Sequence, residues 1–585
     1  MLTEPHPAAA ELAERLRISP LMGQLLLNRN LKDVAECSAF LRPSLQSLHD
    51  PGLLPGMLAA AGRIAKAIRD RQRIIIYGDY DVDGITATAI LWHAIRLLGG
   101  DVGYYIPHRI DEGYGLNSEA IAQIIAEGAN LIVTVDCGIT AVEPAKIARD
   151  RGVDLIITDH HQCHDGAPLP DCFAIVHPRL GEPAAYPNPH LCGAGVAFKL
   201  AWGIGQQVSG AVRVSQSFRE FLIEATALAA LGTIADVVPL VGENRVLAHF
   251  GLSGLPASKL VGIQALIASA GLTGQSLDSF HVGFLLAPRL NACGRMGHAA
   301  LAVRMLTDAA EAEAHQTATY LETQNRARQA LEREIFKQAM QQVEQDGIER
   351  DGKRAVVLAA EKWHAGVIGI VASRLVERLS RPALMISLNN GHGQGSGRSI
   401  PGFHLSRALA SCSQFLEAHG GHEMAAGLKL ATENLPRFRD AFYDYAMQNV
   451  TVEMMMPQLF LEAEAQIGQI SEALVADMAR LGPFGHGNRR PLLCVKGVEI
   501  AGEPRVVGKT GDHLQLTVGQ GQLRMKCIAF GHAPMKDRLA AGTRVDLAVE
   551  PCVNEFNGRR SVELEVKDCK LFLATEVTEN TENEK

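Results

Sequence analysis

Short apolar runs and amphipathic stretches alternate along the chain in the order that predicts a parallel β-sheet with connecting helices. Residues 74–77, 131–135 and 155–158 are short, largely β-branched runs, as expected for buried strands. Residues 87–98 and 141–151 show the apolar spacing of helices. Because parallel strands need long, usually helical crossovers, this alternation predicts an α/β fold.

The remaining pattern divides the chain into further segments. Residues 308–345 are polar and contain neither Gly nor Pro, which predicts a long helix between two domains. A strand-like run at 355–358 begins a second α/β region, and a β-rich region with a turn at Asn557-Gly558 follows Pro457. The predicted segments are an N-terminal helical segment (1–60), a first α/β domain (61–307), the connecting helix (308–345), a second α/β domain (346–456), a β-rich domain (457–573) and a disordered tail (574–585).

Charge and cysteine content limit the classes of function. The chain has 56 Lys and Arg against 64 Asp and Glu, a formal charge of −8, so any nucleic-acid surface must be a local patch. Residues 481–570 carry a small excess, 14 Lys and Arg against 10 Asp and Glu, which fits either a surface for a single strand or an ordinary solvated face. The 11 Cys include no CxxC pair, which indicates a reducing, cytoplasmic compartment. No run of 18 apolar residues predicts a membrane span.

Carboxylates and histidines stand at the C-terminal ends of the predicted strands, the edge at which open α/β sheets bind ligands. Asp79, Asp81 and Asp83 alternate after the first strand, so in an extended segment they would share one face. Converging carboxylates repel one another unless a cation neutralises them. The same edge receives residues from later strands and from the end of an apolar helix: Asp136, Asp159, His160, His161 and Asp236.

Any one of these residues is as compatible with a helix N-cap or a solvated loop as with a ligand, but their joint placement favours a metal site. Carboxylates with one or two imidazoles suit Mn²⁺ or Mg²⁺ better than a thiolate-bound zinc. Two such ions about 3.5–4 Å apart clamp a phosphoryl group and activate a water. The residues alone therefore predict metal-dependent phosphoester hydrolysis.

The same residues carry a resemblance to the DHH phosphoesterase family, in the strings Asp79-Tyr80-Asp81-Val82-Asp83-Gly84, Val135-Asp136, Asp159-His160-His161 and Ala235-Asp236. Later motifs are similar to its bacterial RecJ subgroup: residues 288–295 (PRLNACGR), 363–371 (WHAGVIGIV), 395–399 (GSGRS) and 420–422 (GGH). The resemblance implies a DHH domain and a DHHA1 domain joined by the long helix, followed by an OB-fold. It also implies a 5′→3′ exonuclease specific for single-stranded DNA that releases 5′-mononucleotides with two Mn²⁺ or Mg²⁺ ions.

Carried over by position, the resemblance implies which residues form the site. One ion would be held by Asp79, Asp81 and Asp136, and the other by Asp83, Asp136, His160 and Asp236. The residues expected to act in catalysis are Asp83, Asp136, His160 and His161, the last by contacting the scissile phosphate or the leaving group. The residues expected to bind substrate are Arg109, Arg289, Arg295, Ser396, Arg398 and His422. Residues 395–399 alone would be interpreted as a turn, and with the resemblance they become the expected 5′-phosphate pocket. His177, next to Pro178, is interpreted as a loop residue.

Two other interpretations stay open at this stage. A non-catalytic DHH relative would serve as a DNA-binding scaffold, although such relatives typically lose motif carboxylates that this chain retains. A DHH phosphodiesterase acting on short RNA is a nearer alternative, although those chains are usually shorter and lack the β-rich extension. The resemblance implies a monomer that acts in DNA repair and recombination, with single-stranded-DNA-binding protein and a RecQ-type helicase as partners.

Overall fold

The computed structural model of the 585-residue chain describes residues 1–108, 112, 115–163, 166–181, 186–295, 298–556 and 558–572, without the side chains of Arg295 and Phe556. The chain folds into two compact units. One comprises Met1–Asp50, Val237–Phe250 and the described part of Gln458–Lys585, and the other comprises Pro51–Asp236 and Gly251–Pro457. The predicted tail at 574–585, and Asn557 of the predicted turn, lie outside the described residues.

The predicted α/β fold is confirmed in the first half of the chain. Three short helices come first: α1 (Ala9–Leu16), α2 (Pro20–Leu27) and α3 (Val34–Leu41). Helices and strands then alternate: α4 (Met57–Arg69), β1 (Arg73–Gly78), α5 (Val82–Leu97), β2 (Asp101–Tyr105), α6 (Ser118–Ala126), β3 (Leu131–Val135), α7 (Val142–Asp150), β4 (Asp154–Thr158) and β5 (Ala174–Val176). The strands form a parallel sheet in the order β2-β1-β3-β4-β5. Strands β1, β3 and β4 are buried along nearly their whole length, which explains their unbroken apolar runs.

The strand order fixes where a ligand can bind. Because β1 lies between β2 and β3, the chain changes direction across the sheet between β1 and β3. Open α/β sheets bind ligands in the crevice outside the carboxyl ends of the strands at such a point. Asp79 follows β1, Asp136 follows β3 and His160 follows the adjacent β4, so the sheet brings three sequence-distant groups to one crevice.

Further helices follow along the chain and lead to the second domain. They are α8 (Gly193–Ser209), α9 (Gln216–Ala235), α10 (Gly242–Gly254), α11 (Val261–Ser269), α12 (Ala287–Arg295), α13 (Ala299–Leu306) and α14 (Glu311–Gln345). A π-helix, His281–Leu286, runs directly into α12. Helix α14 has 35 residues, a length of about 50 Å. The predicted long helix is therefore present.

The second α/β domain is built on a mixed sheet. Its elements are β6 (Val356–Glu361), α15 (Ala365–Leu379), β7 (Ala383–Asn389), β8 (His392–Arg398), α16 (Leu405–Ser411), β9 (Ala418–Gly421), β10 (Ala425–Ala431) and α17 (Leu435–Asn449). The strand order is β6-β7-β8-β10-β9, in which β6 and β7 are parallel and the other pairs antiparallel. Phe438 and Phe442 of α17 are fully buried in one core of this domain, while Val371 of α15 packs with Ile335 of α14 in another.

Residues 395–398 do not form the turn that their composition alone suggests, because they belong to strand β8 (His392–Arg398) in the interior of this sheet. A Cβ on Gly395 would lie 2.7 Å from Leu428 Cγ, and one on Gly397 would lie 2.4 Å from Leu384 Cδ2. Large apolar side chains from neighbouring strands therefore occupy the space above the glycines. The alternate positions of the same strand carry Ser396 and Arg398.

The β-rich region forms the predicted OB-fold. Its elements are β11 (Ala463–Glu464), α18 (Glu472–Ala479), β12 (Leu493–Ile500), β13 (Arg505–Val507), β14 (His513–Gln520), β15 (Leu523–Ala529), β16 (Arg544–Phe556) and β17 (Arg559–Leu571). The order is β11-β12-β16-β17-β15-β14-β13, and an additional pairing of β12 with β14 closes five strands into a barrel. Antiparallel β16 and β17 flank the predicted turn.

The N-terminal helices belong to the same compact unit as this barrel. Met22 and Leu25 of α2 are fully buried in one core with Leu493 and Val549 of the barrel. Arg245 also joins this unit, since its Nη2 donates to the carbonyl oxygens of Arg480 (3.0 Å), Leu481 (3.2 Å) and Gly482. Among the described residues no single helix is long and apolar enough to cross a membrane, although the bent pair Gly242–Ala257 and Val261–Ser269 meets the criteria of length and composition.

Candidate metal centre and phosphate site

Two aspartates at the start of α5 are held by backbone N–H groups. Asp81 is the N-cap of α5, and its Oδ1 accepts a hydrogen bond from Gly84 N at 3.0 Å. Asp83 is 1% exposed, and its two carboxylate oxygens accept from Gly193 N at 2.6 Å and Ala194 N at 2.8 Å. The first N–H groups of α8, which have no partner within their own helix, thus fix the Asp83 carboxylate.

Asp136 occupies a tight turn directly after β3. Its φ of 62° is left-handed, a conformation that aspartate adopts more readily than most residues other than glycine, and its side chain is buried. A Cβ on Gly193 would lie 2.5 Å from Asp136 Cβ. Glycine at position 193 therefore allows the start of α8 to approach this carboxylate.

All six predicted metal ligands meet at this edge of the sheet. His160 Nε2 lies 3.1 Å from Asp136 Oδ1, 3.6 Å from Asp236 Oδ2 and 3.7 Å from Asp83 Oδ2. Three overlapping groups each have ligand atoms within 4.8 Å of one another: Asp79, Asp81 and Asp136; Asp83, His160 and Asp236; and Asp136, His160 and His161.

Burial and mutual repulsion shift the titration of this cluster. Desolvation, followed by the charges of Asp83 and Asp81, raises the pKa of Asp236 to about 8. The same causes raise the pKa of Asp136 well above its usual range, and desolvation raises the pKa of Asp83. Desolvation also lowers the pKa of His160 to about 4. The cluster therefore resists holding its negative charge without a compensating cation.

The donor atoms fit a divalent ion. Asp136 Oδ1 and both ring nitrogens of His160 are buried and make no hydrogen bond to any described residue, since the 3.1 Å contact between Asp136 Oδ1 and His160 Nε2 lacks hydrogen-bond geometry. Buried polar atoms normally have a partner, so such atoms grouped in one cluster indicate a ligand. Several carboxylates with one imidazole form the oxygen-rich donor set that Mn²⁺ and Mg²⁺ prefer.

His161 has a different environment from His160. Its Nδ1 lies 2.7 Å from Asp159 Oδ1. Burial alone would lower the pKa of His161, but the hydrogen bond and the charge of Asp159 raise it to about 9. Burial would likewise raise the pKa of Asp159, yet its hydrogen bonds with His161 and Ile139 N hold it well below the usual range. His161 is therefore an imidazolium at neutral pH.

Ser396 and Arg398 form a second polar site, in the mixed sheet of the second α/β domain. Arg398 Nη1 donates to Ser396 Oγ at 3.3 Å, and the side chain is partly buried. Desolvation lowers the pKa of Arg398, and no carboxylate among the described residues forms an ion pair with it. A Cβ on Gly369 of α15 would lie 2.9 Å from Ser396 Oγ, so the helix backbone approaches this pair closely. A desolvated guanidinium beside a hydroxyl fits a phosphate group.

His422 lies on a cavity of about 640 Å³ that also reaches the metal centre. The cavity is lined by Asp159 and His161 on one side, by residues 138–144 after β3, and by Gly421 and His422. This volume is within the range of ligand pockets. The structure therefore places His422 and the imidazolium of His161 on one cavity, and their contact with substrate stays a prediction.

Among the predicted substrate residues whose side chains are described, Ser396, Arg398 and Arg289 do not line this cavity. Arg289 is 8% exposed and its Nη2 pairs with Glu322 Oε2 of α14 at 2.8 Å. Arg109 and the side chain of Arg295 lie outside the described residues. A role for these arginines in binding DNA stays a prediction.

Some residues that hold the backbone of the metal centre in place cannot be found by searching the sequence for ligand motifs. His177, interpreted as a loop residue, is buried: its Nδ1 accepts from Arg179 N, and its Nε2 donates to His161 O at 2.8 Å. Asn291 Oδ1 accepts a hydrogen bond at 3.3 Å from the backbone N–H of Val82, the first residue of α5 between Asp81 and Asp83. The available sequence signals are the glycines at the start of α8 and the Asn within the motif at 288–295.

Comparison with known proteins decides the family. The family models for the DHH family N-terminal domain, the DHHA1 domain and the RecJ OB domain match residues 73–233, 352–448 and 461–568. The single-stranded-DNA-specific exonuclease RecJ of Bacillus subtilis is 37% identical, over 96% of this chain and 69% of its own length. That of Dickeya dadantii is 34% identical, over 93% of this chain and 95% of its own. The chain belongs to the RecJ family.

Solved RecJ structures share this architecture. RecJ of Thermus thermophilus in complex with Mn²⁺ matches with a TM-score of 0.81 and 31% identity, covering 98% of this chain and 79% of that one. The same protein in complex with Mg²⁺ matches with a TM-score of 0.75 and 29% identity, covering 98% and 78%. The presence of DHH, DHHA1 and OB domains in the RecJ order along the chain is therefore confirmed.

Proposed function

We propose that this protein is a metal-dependent exonuclease that degrades single-stranded DNA from its 5′ end and releases 5′-mononucleotides. The observation that carries the proposal is the meeting of all six ligand residues at the crevice of the DHH sheet, in a chain that belongs to the RecJ family. A non-catalytic scaffold would have no need of a buried, mutually repelling carboxylate cluster, which costs stability unless ions fill it.

Different residues of the chain have different roles in the proposed hydrolysis. Asp79, Asp81 and Asp136 would hold one ion, and Asp83, Asp136, His160 and Asp236 the other. When bound, the two ions supply an activated water and stabilise the leaving oxygen. Asp159 keeps His161 protonated, so this imidazolium would donate a hydrogen bond to the scissile phosphate and neutralise its developing charge.

The polarity of digestion must come from a second site, because every phosphodiester is alike to the metal centre. Ser396 offers a hydroxyl, and Arg398 offers a guanidinium with no ion pair among the described residues, and the two suit a terminal phosphate. With the 5′-phosphate bound there, the terminal nucleotide would occupy the cavity shared by His161 and His422. The end of the strand, and not an internal phosphate, would then be presented for cleavage.

The test of this function uses end-labelled DNA with Mn²⁺, Mg²⁺ or EDTA. A 5′ label on a single strand should be released at once as mononucleotide, whereas a 3′ label should pass through progressively shorter strands. Duplex DNA should resist digestion, and EDTA should abolish it. Release of the 3′ label first would contradict the proposed polarity, and a preference for short RNA would favour the oligonucleotide phosphodiesterase alternative.

The pocket is tested by crossing Arg398→Ala with 5′-phosphate and 5′-hydroxyl strands. On the phosphorylated strand kcat/KM should fall by a factor equivalent to about 1.5–3 kcal/mol, the size of a charged hydrogen bond. On the 5′-hydroxyl strand the loss should be much smaller, because the anchor is absent there for the wild type as well. Arg378→Ala, at an exposed residue near the end of α15, is the control and should change neither. Equal losses on both strands would show that Arg398 does not bind the 5′ end.

We also propose the setting in which the enzyme acts. Membership of the RecJ family supports a monomer in the cytoplasm that works in DNA repair and recombination, with single-stranded-DNA-binding protein and a RecQ-type helicase as partners. The proposal also includes the segment boundaries predicted from the sequence, at residues 60, 307, 345, 456 and 573. Light scattering of the purified chain, alone and with each partner, tests the oligomeric state and the two associations.

A further inference from the structure

An exposed arginine follows the last strand of the DHH sheet, at the edge where the metal ligands lie. Strand β5 pairs in parallel with β4, and Val176 at the end of β5 is level with Thr158 at the end of β4. His177 therefore begins its loop beside Asp159, and Arg179 comes two residues later and is exposed. Because the carboxyl ends of parallel strands share one edge, Arg179 belongs to the ligand-binding side of the sheet.

One buried imidazole connects the backbone of this arginine to the turn that carries His161. His177 is fully buried, and its Nδ1 accepts a hydrogen bond from Arg179 N at 3.1 Å. An acceptor at Nδ1 leaves the ring proton on Nε2, which donates to His161 O at 2.8 Å. Burial also lowers the pKa of His177, in agreement with this neutral ring. The loop of Arg179 is therefore fixed relative to His161.

The guanidinium of Arg179 is anchored at one atom. Its Nε donates to Pro189 O at 3.0 Å, and Pro189 lies four residues before Gly193, whose N–H binds Asp83. Among the described residues neither Nη1 nor Nη2 of Arg179 has a hydrogen-bond partner, and no carboxylate forms an ion pair with this side chain. The guanidinium is thus oriented by its anchor, and its terminal N–H groups are available to a ligand.

The charge of Arg179 acts on the metal centre. Burial raises the pKa of Asp236, and the charge of Arg179 opposes that rise. Burial lowers the pKa of His160, and the same charge lowers it further. Because the interaction between charges falls off with distance, the guanidinium must lie close to both of these ligands.

We propose that Arg179 binds a backbone phosphate of the substrate, namely the first phosphate on the 3′ side of the scissile phosphodiester. The inference rests on the proposed exonuclease function and adds a contact beyond the bond that is cleaved. The 5′-phosphate is assigned to Ser396 and Arg398, and the scissile phosphate to the ions and His161. The next phosphate along the strand is therefore the nearest one without a partner. Arginine suits it, because guanidinium N–H groups form charge-assisted hydrogen bonds to phosphate oxygens.

The test removes one phosphate charge at a time from the substrate. Single-turnover release of the first nucleotide is measured with Mn²⁺ on 5′-phosphorylated strands that each carry one neutral methylphosphonate, placed at successive linkages from that between the second and third nucleotides onward. For the wild type, methylphosphonate at this first linkage should lower kcat/KM about 10- to 100-fold, as expected for the loss of a charged hydrogen bond. Arg179→Ala should show a similar loss on the unmodified strand and no further loss from methylphosphonate at that linkage.

Further variants separate the charge of the side chain from its packing. Arg179→Lys keeps the charge and should lose less activity than Arg179→Gln, which is neutral. Arg219→Ala removes another exposed arginine of the same domain, in the first turn of α9 and about 25 Å along that helix from Asp236. This control should behave as the wild type does on every strand. Circular dichroism melting checks that all variants fold.

Metal binding gives a readout that does not depend on cleavage. In calorimetric titration without DNA, Mn²⁺ should bind Arg179→Ala at least as tightly as it binds the wild type, because a nearby positive charge repels the ions. A residue that merely supported the metal ligands would have the opposite effect when removed.

The possible failures are distinguishable. If methylphosphonate at the linkage after the scissile one lowers kcat/KM equally in the wild type and in Arg179→Ala, or if the two changes are coupled only at another linkage, the phosphate contact is wrong, while the exonuclease function stands. Weaker Mn²⁺ binding by Arg179→Ala would show that the side chain acts through the metal ligands, which also overturns the contact. A wild type that cleaves no single strand would contradict the proposed function itself.

Discussion

Asp136 is the residue on which the two halves of the metal cluster depend. It belongs to two of the three ligand groups, and its Oδ1 is the nearest of the three carboxylate atoms around His160 Nε2. Its left-handed turn aims the side chain into the crevice between β1 and β3. A change at this position therefore affects the binding of both proposed ions.

Asp136→Asn should reduce hydrolysis of single-stranded DNA at least about 100-fold at saturating Mn²⁺, because a neutral amide replaces a shared anionic ligand. Binding of the strand should remain, since the phosphate site of Ser396 and Arg398 is separate. Calorimetric titration with Mn²⁺ and fluorescence anisotropy with DNA measure the two effects. Asp150→Asn, at an exposed carboxylate at the end of α7, is the control. Turnover near that of the wild type would contradict the shared-ligand assignment.

Protonation of the cluster predicts how the metal-free protein responds to pH. The folded-state pKa of Asp236 is raised to about 8 and that of His161 to about 9, so the folded protein binds more protons than the unfolded chain at neutral pH. The stability from these shifts is fully present below the unfolded pKa values and is lost as pH rises through about 8 and 9. The Tm in EDTA should therefore fall between pH 7 and 9.

Mg²⁺ should oppose this loss, because an ion replaces the protons that compensate the carboxylates. The increase in Tm on adding Mg²⁺, followed by calorimetry, should thus grow from pH 7 to 9. In the Asp236→Asn variant, the Tm measured in EDTA should fall less steeply between pH 7 and 9 than it does in the wild type. An increase in Tm that is independent of pH would show that the cluster does not exchange protons for metal.

Helix α8 shows how an element remote in sequence completes the site. Its first two N–H groups hold Asp83, and Gly193 makes room for Asp136, yet α8 begins 110 residues after Asp83 in the chain. The Cβ that alanine would add lies 2.5 Å from Asp136 Cβ, closer than real contacts allow. The start of α8 is therefore restricted to glycine by the metal centre rather than by helix formation.

Gly193→Ala should displace Asp136 or the start of α8 and reduce Mn²⁺ affinity and hydrolysis at least about tenfold. Gly62→Ala, in the interior of α4 with open space around its Cβ, is the matched control. That change should leave activity intact and stabilise the protein by about 0.4–1 kcal/mol in denaturant unfolding. Equal behaviour of the two variants would exclude a special constraint at position 193.

The elements that sequence reasoning predicts are those with a local signal. The buried runs of β1, β3 and β4 and the carboxylates at their ends mark the sheet and its functional edge, because period and burial are encoded in consecutive residues. Strand β8 has no such signal, since its glycines are covered by Leu384 and Leu428 from other strands. The ion pair of Arg289 with Glu322 is likewise a tertiary contact that no spacing reveals.

At the scale of the whole molecule, the chain's two ends share one compact unit. The core of the barrel includes Met22, Leu25 and Leu26, all fully buried, so the C-terminal region is not an appendage that can be removed without consequence. Burial of a large apolar side chain contributes about 1.5–3 kcal/mol, so losing the partner surface should unfold α1 and α2.

Deletion of residues 458–585 should therefore leave the first 50 residues sensitive to protease and should also weaken binding of long single strands, with a shallower salt dependence. Limited trypsin digestion with mass spectrometry measures the first effect, and anisotropy at several salt concentrations measures the second. Deletion of residues 573–585 alone is the control. Protection of the N-terminal helices in the larger deletion would show that they fold without the barrel.

The pairing of the chain's beginning with its end also has a consequence for how the protein is made. More than 400 residues separate Asp50 from Gln458, and a ribosome adding about 5–20 residues per second needs about 20–80 s to synthesise them. During that interval α2 has left the ribosome with the apolar side chains of Met22, Leu25 and Leu26 uncovered. The nascent chain therefore exposes these apolar side chains until the strands of the barrel have been synthesised.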